Sequence, residues 1–126
     1  MTQLREIYFC SLCGNLIEVI NAGAPALVCC GQKMELVEAK TEDGAVEKHV
    51  PFMEDCEGGV KVKIGQNTAH PMTGEHFIKF IEIRTANKVG RAELKPGDAP
   101  EAIFHIDAEE ITEIYEYCNV HGLWKK

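Results

Sequence analysis

The sequence predicts an all-β protein in two unequal parts: a small β module held by metal over residues 1–37, then an antiparallel β-sandwich over residues 49–126. Three observations carry this expectation. Two cysteine pairs sit among short β-prone runs in the first 37 residues, a length too small to bury a self-sufficient core. About seven short β-branched or aromatic runs, separated by Gly, Pro, Asn and Asp turns, fill the remainder. No apolar run approaches the ~20 residues of a membrane-spanning helix.

In the first part, Ile7-Tyr8-Phe9 and Leu16-Ile17-Glu18-Val19-Ile20 flank Cys10-Ser11-Leu12-Cys13-Gly14. A glycine directly after the second cysteine lets the chain turn and aim amides at the sulfurs. A loop over Asn21-Ala22-Gly23-Ala24-Pro25 leads to Leu27-Val28-Cys29-Cys30-Gly31 and then to Met34-Glu35-Leu36-Val37. Cys29 and Cys30 are adjacent, and adjacent side chains ordinarily diverge, so one ion held by both implies a distorted tetrahedron. Zinc and iron both take four-sulfur sites, so the residues alone leave the metal open. Residues 38–48 are polar, show no apolar period, and read as a linker.

From His49 onward the pattern is β. Val60-Lys61-Val62-Lys63-Ile64 alternates after the turn Glu57-Gly58-Gly59, and the run from Phe77 to Arg84 is apolar on both faces, as a central strand would be. Lys88 to Leu94 and Glu101 to Ile106 follow, separated by Lys95-Pro96-Gly97-Asp98-Ala99-Pro100. Residues 108–117 are ambiguous. The spacing of Ile111, Ile114, Tyr115 and Cys118 slightly favours a helix, while Ile-Thr and two tyrosines favour a strand.

The net charge of −7 argues against a broad nucleic-acid surface, which needs clustered Lys and Arg. Met1 to Glu6 carries charge and lacks the apolar core of a signal peptide, so the cytoplasm is the expected compartment. Thiols stay reduced there, so cysteine clusters point to metal rather than to disulfides.

The second part carries five histidines and two cysteines. His49 stands two residues before Pro51, His70 directly before Pro71, His76 at a strand start and His121 directly before Gly122. Cys118-Asn119-Val120-His121 presents a thiolate and an imidazole on one turn, beside the only tryptophan. A lone histidine is usually a surface or core residue; four beside turns with Cys118 form a constellation. His105 alternates away from Phe104 and Ile106 and is expected to face solvent. Cys56, in an acidic turn, reads as an ordinary free thiol. Met34, Met53 and Met72 read as packing, and Trp124 as a cover that keeps water from the metal.

The four-cysteine spacing resembles desulforedoxin. The chain as a whole resembles desulfoferrodoxin, the two-iron superoxide reductase family with a neelaredoxin-like catalytic domain. The motifs that carry this are Glu47-Lys48-His49-Val50-Pro51, His70-Pro71-Met72 through Glu75-His76, and Cys118-Asn119-Val120-His121-Gly122-Leu123-Trp124. The resemblance implies an immunoglobulin-like sandwich and two iron centres. The first, an Fe3+/Fe2+ site, takes Cys10, Cys13, Cys29 and Cys30 and acts as electron relay or structural clamp. The second takes Fe2+ with His49, His70, His76 and His121 as equatorial ligands and Cys118 as the axial one, leaving a sixth position open. It further implies one-electron reduction of superoxide to hydrogen peroxide, a rubredoxin-like donor and a homodimer. Lys48 then guides superoxide, and Glu47 resembles the family glutamate that fills the open position in the oxidised resting state.

The chemistry suits those ligands. One thiolate against four neutral imidazoles leaves a ferrous site at net +1, attractive to an anion, and sulfur donation favours the ferric state. A superoxide dismutase would need the same iron to oxidise superoxide too, which the thiolate opposes. A pure electron carrier gains nothing from an open position, and structural zinc prefers four closed ligands.

Overall fold

The computed structural model describes residues 1–23, 25–42 and 49–126, and among them it is almost entirely β. The chain divides into two compact units, Met1–Glu38 and Ala39–Lys126.

In the first unit, β1 (Ile7–Phe9) is the middle strand of a three-stranded antiparallel sheet, between β2 (Leu16–Glu18) and β5 (Glu35–Val37). Among the described residues only Ile7, Cys10, Val19 and Met34 of its apolar side chains are fully buried, so the core is as thin as the length implied. β3 (Val28–Cys29) and β4 (Gln32–Lys33) form a hairpin with Cys29 paired to Gln32. Its two turn residues, Cys30 at φ 53° and Gly31 at φ 76°, are both left-handed, as a type I′ turn requires. That backbone answers the difficulty posed by adjacent cysteines. Turning Cys30 into the left-handed region brings its side chain round to the side of Cys29.

The second unit is a seven-stranded antiparallel sandwich, as the turn spacing predicted. One sheet runs β10 (Glu101–Phe104), β7 (Gly59–Lys63), β6 (Phe52–Cys56). The other runs β12 (Gly122–Lys125), β11 (Glu113–Cys118), β8 (Ile78–Arg84), β9 (Val89–Glu93). Val62, Ile64, Ile78, Ile81, Ile83 and Ile114 meet between them, with Met53 and Met72 packed alongside. β8 is the central strand expected from its two-sided apolarity. Its outward face is closed by Glu82, 1% exposed, whose carboxylate accepts from Arg84 Nε at 2.8 Å and Arg91 Nε at 3.0 Å. Arg84 in turn lies 4.0 Å over the Tyr115 ring.

The slight preference for helix over residues 108–117 is corrected. Only Ala108–Glu110 form a 3-10 turn, and Glu113–Cys118 is a strand hydrogen-bonded on both sides, to β8 and β12. Pairing with two neighbours outweighs the weak helical spacing. Tyr115 and Tyr117 take the outer face while Ile114, Glu116 and Cys118 point in. The β8–β11 register slips after Tyr117, which pairs with Phe80, so that Cys118 pairs with Ile78. Lys79 is the extra residue, and the bulge keeps both Ile81 and Ile78 inward with Cys118 beside them.

Candidate metal centres

Among the described residues two clusters of metal-binding side chains are present, one in each unit, and all six cysteines are free thiols. In the first unit the sulfurs of Cys10, Cys13, Cys29 and Cys30 lie within 4.8 Å of one another. Four sulfurs ~2.3 Å from one ion at tetrahedral angles stand about 3.8 Å apart, so this spread fits a single ion. The knuckle is shaped by Gly14, at φ 83°, whose N–H donates to the Cys10 carbonyl at 2.8 Å. Asn15 Nδ2 donates to Cys29 Sγ at 3.7 Å. Cys10 is buried, while Cys13 and Cys30 are exposed. Without metal, the Cys13 backbone amide draws the Cys10 thiol down to about 7, and hydrogen bonding among the sulfurs, first from Cys13 and then from Cys10, pushes Cys30 up to about 12. One sulfur is thus ready to ionise and holds its neighbours' protons in place, an arrangement an incoming cation would displace.

In the second unit, four imidazoles close a ring. Centroid distances run His49–His70 4.7 Å, His70–His76 4.8 Å, His76–His121 5.0 Å and His121–His49 4.9 Å, each pair edge-on. Beside the ring is Cys118 Sγ, fully buried and 3.9 Å from His121 Nδ1. The ligand atoms of His49, His70, Cys118 and His121 all lie within 4.8 Å of one another; His76 completes the ring without belonging to that set.

Each side chain arrives on its own piece of backbone. His49 enters just before β6. His70 closes a turn with its N–H on the Ile64 carbonyl at 3.0 Å, and a Cβ on Gly65 would lie 2.0 Å from the Thr68 carbonyl oxygen. His76 ends a Thr73–His76 turn bonded in both directions. Cys118 and His121 bracket a hairpin whose Gly122 sits at φ 86°.

The tautomers follow from the outer hydrogen bonds. His70 Nδ1–H donates to the Pro71 carbonyl at 2.7 Å, and His49 Nδ1–H to Glu116 Oε2 at 3.2 Å. Both rings therefore keep their lone pair on Nε2. His70 Nε2 and His76 Nε2 are shut off from solvent, and His49 Nε2 comes within 3.1 Å of His121 Nδ1. Converging buried nitrogen lone pairs around a thiol fit a transition-metal ion.

Sequence reasoning missed two contributors. Glu116, 0% exposed, lies two residues before Cys118 on the same inward strand face, and a carboxylate on an inward face was the available signal. Lys40 is the second. It bridges in parallel to Trp124, and its Nζ donates to the His121 carbonyl at 3.0 Å, lying 5.1 Å over the Trp124 ring. Nothing in the polar run around Lys40 announced this. Trp124 stacks on His49 at 4.6 Å with 12° between planes, and its Nε1–H donates to the same His121 carbonyl at 3.2 Å. Glu47 and Lys48 lie outside the described residues. His105 is exposed, with Nδ1 3.3 Å from the Gly58 carbonyl oxygen, and Cys56 is half-buried. No helix among the described residues is long and apolar enough to cross a membrane.

Comparison with known proteins gives one family. Residues 2–37 match the model of the desulfoferrodoxin N-terminal domain, and residues 41–126 that of desulfoferrodoxin. Desulfoferrodoxin from Nitratidesulfovibrio vulgaris is 50% identical over 99% of this chain and 98% of its own. That from Desulfarculus baarsii is 48% identical over 99% and 98%. The crystal structure of the superoxide reductase from Treponema pallidum superposes with a TM-score of 0.78 at 32% identity, covering 96% of both chains.

Proposed function

Because the chain belongs to the desulfoferrodoxin family, we propose that it is a superoxide reductase, consuming one electron and two protons per superoxide and yielding hydrogen peroxide. The observation that carries this reading is the closed ring of four imidazoles beside a single buried thiol. Iron bound there would supply one-electron chemistry. Cys10, Cys13, Cys29 and Cys30 would hold the first iron. His49, His70 and His76 through Nε2, His121 through Nδ1, and Cys118 would hold the second.

The surrounding residues act on these ligands. Glu116 fixes the His49 tautomer and strengthens its donor nitrogen. Trp124 covers one face of His49 and keeps water off it. Lys40 and Lys48 would supply positive charge for superoxide, and Glu47 would offer a carboxylate to the oxidised iron. Residues 1–37 serve as the relay or clamp module, 38–48 as the connection, and 49–126 as the catalytic unit. The donor is a small rubredoxin-like carrier and the compartment is the cytoplasm. Exposed Leu12, Ile20, Val28 and Leu36 on so small a first unit support a homodimer.

Product stoichiometry tests the activity. The reduced protein, given a known dose of superoxide, should form one peroxide per superoxide without oxygen. Half as much peroxide with matching oxygen would make it a dismutase, and consumption at the spontaneous rate would leave an electron carrier.

A further inference from the structure

Asn119 occupies the turn between Cys118 and His121, and its side chain reaches across to the segment that carries His76. Its Oδ1 accepts the Phe77 N–H at 2.8 Å, and its Nδ2 donates to the Glu75 carbonyl at 2.9 Å. Its backbone N–H donates to the Phe77 carbonyl at 3.2 Å. Three bonds thus grip the chain on both sides of His76 from a residue next to Cys118.

We propose that Asn119 is a positioning residue for the second metal centre, setting His76 against the Cys118/His121 pair. This rests on reading those side chains as ligands. The placement suits the need. His76 is the one imidazole of the ring not among the four ligand residues that lie within 4.8 Å of one another, and the Thr73–His76 turn organises its own segment without tying it to the hairpin. Only a side-chain amide offers a donor and an acceptor in one rigid plane with the reach to bond both neighbours of His76. Asn119 is itself exposed, so burial does not account for an amide at this position. Removing an outer partner that orients a ligand typically costs 10–100-fold in metal affinity.

The test uses the full chain loaded anaerobically with Fe2+ at both centres, with three readouts. These are iron transfer from each centre to a ferrous chelator, the EPR rhombicity of the oxidised histidine–cysteine centre, and hydrogen exchange at the Phe77 amide. For Asn119→Ala we expect faster Phe77 exchange, about tenfold faster iron loss from the histidine–cysteine centre, changed rhombicity, and unchanged loss from the four-cysteine centre. Asn119→Asp keeps the acceptor for Phe77 and lacks the donor for Glu75. It should protect the Phe77 amide and fall between wild type and alanine in iron loss. Wild-type iron loss and rhombicity in Asn119→Ala, despite a freed Phe77 amide, would overturn the assignment. Equal acceleration at both centres would overturn it too, by showing general destabilisation. A wild-type chain that holds iron only at the four cysteines would instead sink the ligand reading beneath it, and the unmutated control shows that separately.

Discussion

Glu116→Gln and Glu116→Ala together test whether a buried carboxylate orients the second centre. The His49 Nδ1–Glu116 Oε2 distance is 3.2 Å, with side chains 4% and 0% exposed, so solvent screens this bond little. A hydrogen bond to a charged group contributes ~1.5–3 kcal/mol and a neutral one about 1. Glutamine keeps an acceptor of nearly the same shape and loses the charge, a difference of ~1 kcal/mol, or about fivefold in metal affinity. Alanine leaves the His49 N–H buried without its carboxylate, costing ~2–3 kcal/mol, or roughly 30–150-fold. The assay is equilibrium competition for Fe2+ against a chelator, with the four-cysteine centre as an internal reference. The expected order is wild type, glutamine, alanine. Wild-type affinity in the alanine variant would refute the reasoning, because His49 would then be oriented by something other than Glu116.

Four further outcomes are expected. Burial, reinforced by the hydrogen bond to Glu113, pushes the Tyr115 phenol from 10.0 up to about 12. The fold therefore favours the protonated phenol. That stabilisation is whole below pH 10 and is lost as the pH rises toward about 12, so Tyr115→Phe should flatten chemical denaturation midpoints across that window. Glu82→Ala removes the carboxylate 2.8 Å from buried Arg84 and should destabilise the sandwich by ~3 kcal/mol in urea titrations. Removing metal with a strong chelator should abolish amide protection in residues 1–38 while β8 and β11 stay protected, since the first unit has only a thin core. Lys40→Met should slow superoxide consumption about twofold at low ionic strength, with the difference disappearing near ~0.5 M salt, as stopped-flow measurements would show.

Much of this architecture was legible because it is written locally. Cys10-x-x-Cys13-Gly14 needs only a glycine at positive φ to make a knuckle, and the alternation in Val60–Ile64 gives a strand with an inward face. Residues 108–117 misled because their apolar spacing suits both periods, and the deciding fact is that β11 is paired on both sides, a relation between distant segments. That Cys29 and Cys30 share one site was expected from the resemblance, but the backbone that brings them together was not legible, because a non-glycine residue seldom adopts φ 53°. The histidines could be gathered by type and by resemblance, yet the ring order 49–70–76–121 exists only in space. Lys40 and Asn119 are unremarkable polar residues in turns until the chain brings their partners to them.

The two centres also differ in when they can be built. Cys10 and Cys29 are 19 residues apart, whereas His49 and His121 are 72 apart. Closing the longer loop costs about 1.2 kcal/mol more in chain entropy before any contact is made. The larger delay is in synthesis: the cysteine site is complete once Cys30 has emerged, but the histidine ring waits for His121, five residues from the end of the chain shown. Iron can therefore fold the first unit while the rest is still being made, and it can reach the second only after the sandwich has closed its last hairpin. Iron shortage during synthesis would accordingly yield chains filled at the four cysteines and empty at the histidines, and a frameshift between codons 77 and 118 would remove the ring's thiolate and its fourth imidazole together.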